Sequence, residues 1–104
     1  MSDVANPIRG ETSIVVDGKA RLLRPTFDAL VRAEEELGSL FDLVERAGAG
    51  KLQLAEVATL FWHCLDEPNG IDRHTVGEAI LAMGMAKAAK PLRALLTQIL
   101  KGAG

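Results

Sequence analysis

The sequence predicts an α+β fold, an N-terminal β-hairpin packed on a bundle of about five short α-helices. Two observations carry this. Between Glu11 and Arg24, β-branched and apolar residues gather around the turn pair Asp17-Gly18, whereas after Pro25 apolar residues recur at helical spacing, interrupted by glycine, proline and capping residues. A third observation sets the kind of core: 48% of the 104 residues are apolar but only 4% are aromatic, so aliphatic stripes must do most of the packing.

Residues 1–8 are small or polar, broken by Asn6-Pro7, and read as a flexible tail. Residues 9–101 form one domain, with the hairpin in 9–24 and the helical part in 26–101; residues 102–104 form a second tail. Asp17 and Gly18 suit the central positions of a type I′ turn, which sets Val16 opposite Lys19, Val15 opposite Ala20, Ser13 opposite Leu22 and Glu11 opposite Arg24. One hairpin face then carries Thr12, Ile14, Val16 and Leu23, the other Val15, Ala20 and Leu22. Neither is cleanly apolar, so both remain candidates for the buried side.

Thr26 is the expected N-cap of the first helix, with Asp28 in its first turn, Phe27, Leu30, Val31 and Leu37 as its apolar positions and Gly38 as its stop. Ser39 caps a second helix with the stripe Leu40, Leu43, Val44 and Ala47, ending at Gly48-Ala49-Gly50. A third helix, from Leu54 to about Asp66, is apolar over more than half its circumference and is the expected centre of the bundle. Glu67-Pro68-Asn69-Gly70 breaks it. A fourth helix follows from about Arg73 to Met83, with Val76, Ile80 and Met83 on one side, Asp72 or Thr75 as cap and Gly84 as stop. The last helix, Ala86 to Lys101, holds Pro91 either as a kink or in its first turn.

Composition excludes several function classes. A net charge of -2 lacks the clustered cations that contact phosphate, so nucleic acid is not an expected partner. Apolar runs such as Leu60-Phe61-Trp62 fall far short of the about 20 residues that span a bilayer. The start of the chain has neither the basic nor the apolar stretch of a signal peptide, and one cysteine forms no internal disulfide, so a reducing, cytoplasmic setting is expected.

No constellation predicts catalysis, and no catalytic residue, cofactor or metal is expected. His63 and Cys64 are the residue types of a thiol nucleophile and its base, but helix neighbours project about 100° apart, so the pair reads as a buried thiol beside a solvent-facing histidine. His63, Cys64, Asp66, Glu67, Asp72 and His74 lack the paired spacing of a zinc site. A calcium loop centred on Gly70 would place Leu65 and Val76 at ligand positions, which neither can fill. In Glu34-Glu35-Glu36, a mostly solvated acidic run, Glu34 falls within the apolar arc; Arg21, Arg24 or amides near the hairpin are the expected donors, the alternative being a side chain that snorkels out to solvent. Candidate partner anchors are Trp62, at the flank of its helix's apolar arc, and Phe41, beside its stripe. Core packing is the competing and preferred assignment for both. The two hairpin edges invite strand addition or self-association.

The order of features then resembles a known family. Arg9-Gly10-Glu11, a strand into Asp17-Gly18-Lys19, the run Leu22 to Leu30, the run Glu34-Glu35-Glu36-Leu37-Gly38-Ser39-Leu40 and the apolar third helix are similar to the gene transfer agent and phage tail protein family, over roughly residues 8 to 100. That family is described both as tail tube protein and as tail assembly chaperone. The resemblance implies a non-catalytic role in virion morphogenesis, with the tape-measure and tail tube proteins as partners, in the bacterial producer cell or in the virion. A chaperone is the expected form, because one hairpin is thin material for a closed inner barrel and mild acidity suits a holdase. A tube subunit and a protein-interaction module unrelated to phage are the alternatives.

Overall fold

The computed structural model describes residues 11–102, so the expected tail at 1–8, Arg9-Gly10, and residues 103–104 lie outside the described residues. Two antiparallel strands, β1 (Thr12–Val16) and β2 (Lys19–Leu23), precede five helices: α1 (Phe27–Leu37), α2 (Leu40–Gly48), α3 (Leu54–Cys64), α4 (Arg73–Met83) and α5 (Met85–Lys101). The fold is therefore α+β, a hairpin followed by a five-helix bundle.

The hairpin register is the expected one, with Val16 opposite Lys19 and Thr12 opposite Leu23. Asp17 and Gly18 both adopt positive φ (53° and 78°), as a type I′ turn demands. Ile14, Val16 and Leu23 are buried and Val15 is exposed, which decides the inward face. β1 packs against α4 and α5.

One expectation changes here. The outer edge of β2 is partly occupied by the chain leaving α3: Leu23 bridges Leu65, Arg24 donates its N–H to the Cys64 carbonyl (2.7 Å), and the Asp66 N–H donates to the Leu22 carbonyl (3.0 Å). Two strands alone would leave both edges open; the α3–α4 connection closes part of one. Arg24 reinforces the junction, its Nε donating to Glu11 (3.0 Å) and its Nη1 to Asp66 (3.2 Å).

Local chemistry starts and stops the helices. Thr26 Oγ1 accepts from the Ala29 N–H, Ser39 Oγ from that of Asp42, and Asp72 Oδ1 from that of Thr75. Gly38 ends α1 at φ 81°, a left-handed stop that costs other residues more. Pro91 lies deep inside α5, which runs unbroken through it, so it is not a first-turn residue. Its missing N–H removes the helical donor to the Lys87 carbonyl.

α3 is the centre. Val57, Ala58, Thr59, Leu60, Phe61 and Cys64 are all buried on it, with α1 on one side and α4 on the other. Around it Leu23, Leu43, Ile80 and Leu95 are fully buried, each stabilising the fold by about 1.5–3 kcal/mol. Close approach to α3 relies on small residues: Ala29 and Ala33 are the buried positions of α1, and Gly77 of α4 faces Ala58. This corrects the expected α1 stripe, since Phe27 and Val31 lie on the exposed flank and only Leu30 and Leu37 are half-buried.

Candidate interaction surface

Two groups of side chains stand out, one polar and self-contained, the other apolar and open. The polar group joins α1, α3 and α4. Glu36 accepts a bidentate contact from Arg73, with Nη2 to Oε2 at 2.9 Å, and its Oε2 also meets His63 Nε2. The Arg73 guanidinium lies over the Trp62 ring, 4.6 Å from its centroid, and the Trp62 Nε1–H donates to the Ile71 carbonyl (2.9 Å). His63 meets Trp62 edge to face at 4.9 Å.

This cluster brings together the residue types that catalysis uses, but their geometry ties them to one another. The Arg73 guanidinium, and then His63, hold the Glu36 carboxyl below the usual carboxylate range. Burial pushes the Cys64 thiol up to about 12, leaving almost no thiolate to act as a nucleophile at neutral pH. His63 is not solvent-facing as expected: only 7% of its side chain is accessible, because Glu36 and Arg73 arrive from helices distant in sequence. Glu36, read as part of a solvated run, is thus the carboxylate that links three helices. No group of three or more histidine, cysteine or carboxylate side chains among the described residues could hold a metal ion. His74 and Arg73 border a groove between α3 and α4, but neither His63 nor Asp72 lines it.

The remaining predicted residues separate. Arg24 belongs to the hairpin junction. Glu34 does not reach the hairpin: its Oε2 accepts the N–H of Leu40 (3.1 Å), so it satisfies an orphan donor in the first turn of α2 and fixes the sharp α1–α2 corner. Trp62 is half-buried in the polar cluster. Phe41 is 76% exposed and therefore not a core residue.

Phe41 belongs instead to the apolar group. A groove of about 300 Å³ opens between α1, α2 and the end of α5, lined by Phe27, Leu30, Val31, Leu40, Phe41 and Ile99, with Pro25, Gln98 and Glu34 at its margins. Phe27 is 81% exposed, so two of the three phenylalanines stand at this surface. Sequence reading missed Phe27 and Val31 because they recur at the spacing of a buried stripe. The signal that distinguishes them is the alanine pair on the opposite side of the helix.

The chain is thus a hairpin on a helical packing unit, with an open apolar groove between α1, α2 and the end of α5. Its sequence matches the family described as phage tail tube protein, GTA-gp10, over residues 9–102. The chain belongs to that family and is a phage or gene transfer agent tail protein. No curated protein and no solved structure matches it. No helix among the described residues is long and apolar enough to cross a membrane.

Proposed function

We propose that this chain is a non-catalytic tail assembly chaperone, acting in the producer cell on the tape-measure and tail tube proteins. The observation that carries the reading is the sheet. Among the described residues it has two strands, and β2 already gives part of its outer edge to Leu65 of the same chain. Closing a barrel of strands between subunits needs a free edge on both sides of every hairpin, and here one of them is partly taken. A helical unit with an exposed aromatic groove suits transient grip on another chain. The polar cluster supports a non-catalytic role, because its hydrogen-bonding groups are directed at each other rather than into a cleft.

The family description favours a second reading, a subunit of the tail tube itself. The two differ in where the protein ends up. Co-purification with the tape-measure protein of the same gene cluster, and depletion from purified mature particles, is the outcome expected of a chaperone. Stoichiometric recovery in mature particles overturns it in favour of the tube subunit.

A further inference from the structure

We propose that the groove between α1, α2 and the end of α5 docks a basic amphipathic helix of a partner protein. The inference names the surface and partner chemistry of the proposed chaperone, and rests on that reading only for which protein supplies the helix.

Three features select this occupant. The first is the backbone. The walls of the groove are helices, with no strand of the hairpin among them, and the Leu40 N–H is taken by Glu34. A segment entering here finds no strand edge to pair with and must satisfy its own backbone, which a helix does. The second is the shape of the wall. Phe27, Val31 and Glu34 recur at i, i+4 and i+7 along α1 and face Phe41 across the groove, a ridge against which an apolar helix stripe can interdigitate.

The third feature is charge. Glu34 is the one ionised side chain in the lining, and only its Oε2 is engaged by a described residue. Exposed Asp28, Glu35, Asp42 and Glu45 lie on the same two helices. Residues 27–48 hold six carboxylates and two arginines, against eight carboxylates and ten cations in the rest of the chain. Arg46 is engaged by Asp42 and Glu56, and Glu36 by Arg73, which leaves Asp28, Glu34, Glu35 and Glu45 against Arg32 on these two helices. An otherwise nearly balanced protein therefore concentrates negative charge on the two helices that wall this apolar groove, a pattern complementary to lysines or arginines flanking an apolar stripe.

A second copy of the chain fits less well. Its basic helix, α5, exposes Lys87, Lys90 and Arg93, but its exposed large apolar residues, Met85 and Leu100, stand at opposite ends. Between them Leu92 and Leu96 are half-buried beside α2 of the same chain, so they offer a partner less than a free stripe would.

The test uses the full chain and a fluorescein-labelled synthetic leucine–lysine amphipathic helix of about 20 residues, read by fluorescence anisotropy. Binding is expected, with gain of helical circular dichroism in the peptide. Phe27→Ser/Phe41→Ser, a change at two exposed positions, should weaken it at least about tenfold with the melting temperature preserved. Glu34→Gln keeps an acceptor for Leu40 and should weaken binding about threefold in dilute buffer, with the difference vanishing at about 0.5 M salt. Equal binding by the double variant, or by a leucine–glutamate peptide, overturns the inference. So does sedimentation of the free chain as a dimer that Phe41→Ser dissociates, since the occupant is then a second copy. Tape-measure co-purification that survives the double variant rejects the groove and leaves the chaperone reading standing. Peptide capture by the groove without tape-measure co-purification does the reverse.

Discussion

α3 and α2 are built from similar residues and end in opposite situations. α3 is apolar on most sides and has six buried residues, because α1 and α4 flank it. α2 is more cleanly amphipathic yet buries only Leu40 and Leu43 and presents Phe41 to solvent. Hydrophobic content therefore does not separate core from surface here. What separates them is whether a neighbour can come close, and the small residues Ala29, Ala33 and Gly77 determine that around α3.

The sharpest way to break this contrast is a matched pair of truncations. Phe61→Ala, at a fully buried position, is expected to cost about 3–5 kcal/mol in urea denaturation. Phe41→Ala should stay within about 0.5 kcal/mol. A large loss at Phe41 would show that the groove is part of the core. Next in size, Thr26→Ala removes the cap of α1 and should cost about 1 kcal/mol, measured the same way. No effect would mean that packing on α3 alone holds the start of that helix.

Gly77→Ala runs in the other direction. A Cβ there would sit 3.9 Å from that of Ala58, an ordinary contact, and glycine is a poor helix former. A gain of about 0.5–1 kcal/mol is expected, seen as a raised melting temperature. A loss would show that α3 and α4 tolerate no further volume between them. The smallest effect concerns how the outer helices are fastened. Glu36 titrates below its ordinary value near 4.5, so its contribution is present above that pH and fades as pH falls through the lower folded value. The difference in urea midpoint between wild type and Glu36→Gln should be full at neutral pH and shrink on acidification. A pH-independent difference would assign Glu36 a packing role instead.

Much of the architecture was legible because it is written locally. Asp17-Gly18 set turn and register together, and Thr26, Ser39 and Asp72 cap helices through amides three residues away. What escaped depends on distant partners. His63 meets Glu36 across 27 residues, and Glu36 meets Arg73 across 37. Glu34 turns to a corner six residues on rather than to the hairpin, where the first turn of α2 presents an orphan amide. Phe27 and Val31 misled because periodicity weighs large side chains, whereas the buried face of α1 is made of alanines. The groove is hidden for the same reason: Phe41 marks it, but periodicity places the paired wall on α1 in the core.

The clasp of residues 64–66 on the edge of β2 bears on how the protein is made. The hairpin can form as soon as it leaves the ribosome, yet Arg24 finds Asp66 only after a further 42 residues have been synthesised. Until then Leu23 lacks its cover and the strand edge stays open, a window for pairing with a neighbouring nascent chain. Closing so long a loop also slows the final step relative to the local helices. Emergence of the residues that end α3, rather than completion of the hairpin, is thus the event that covers this part of the edge.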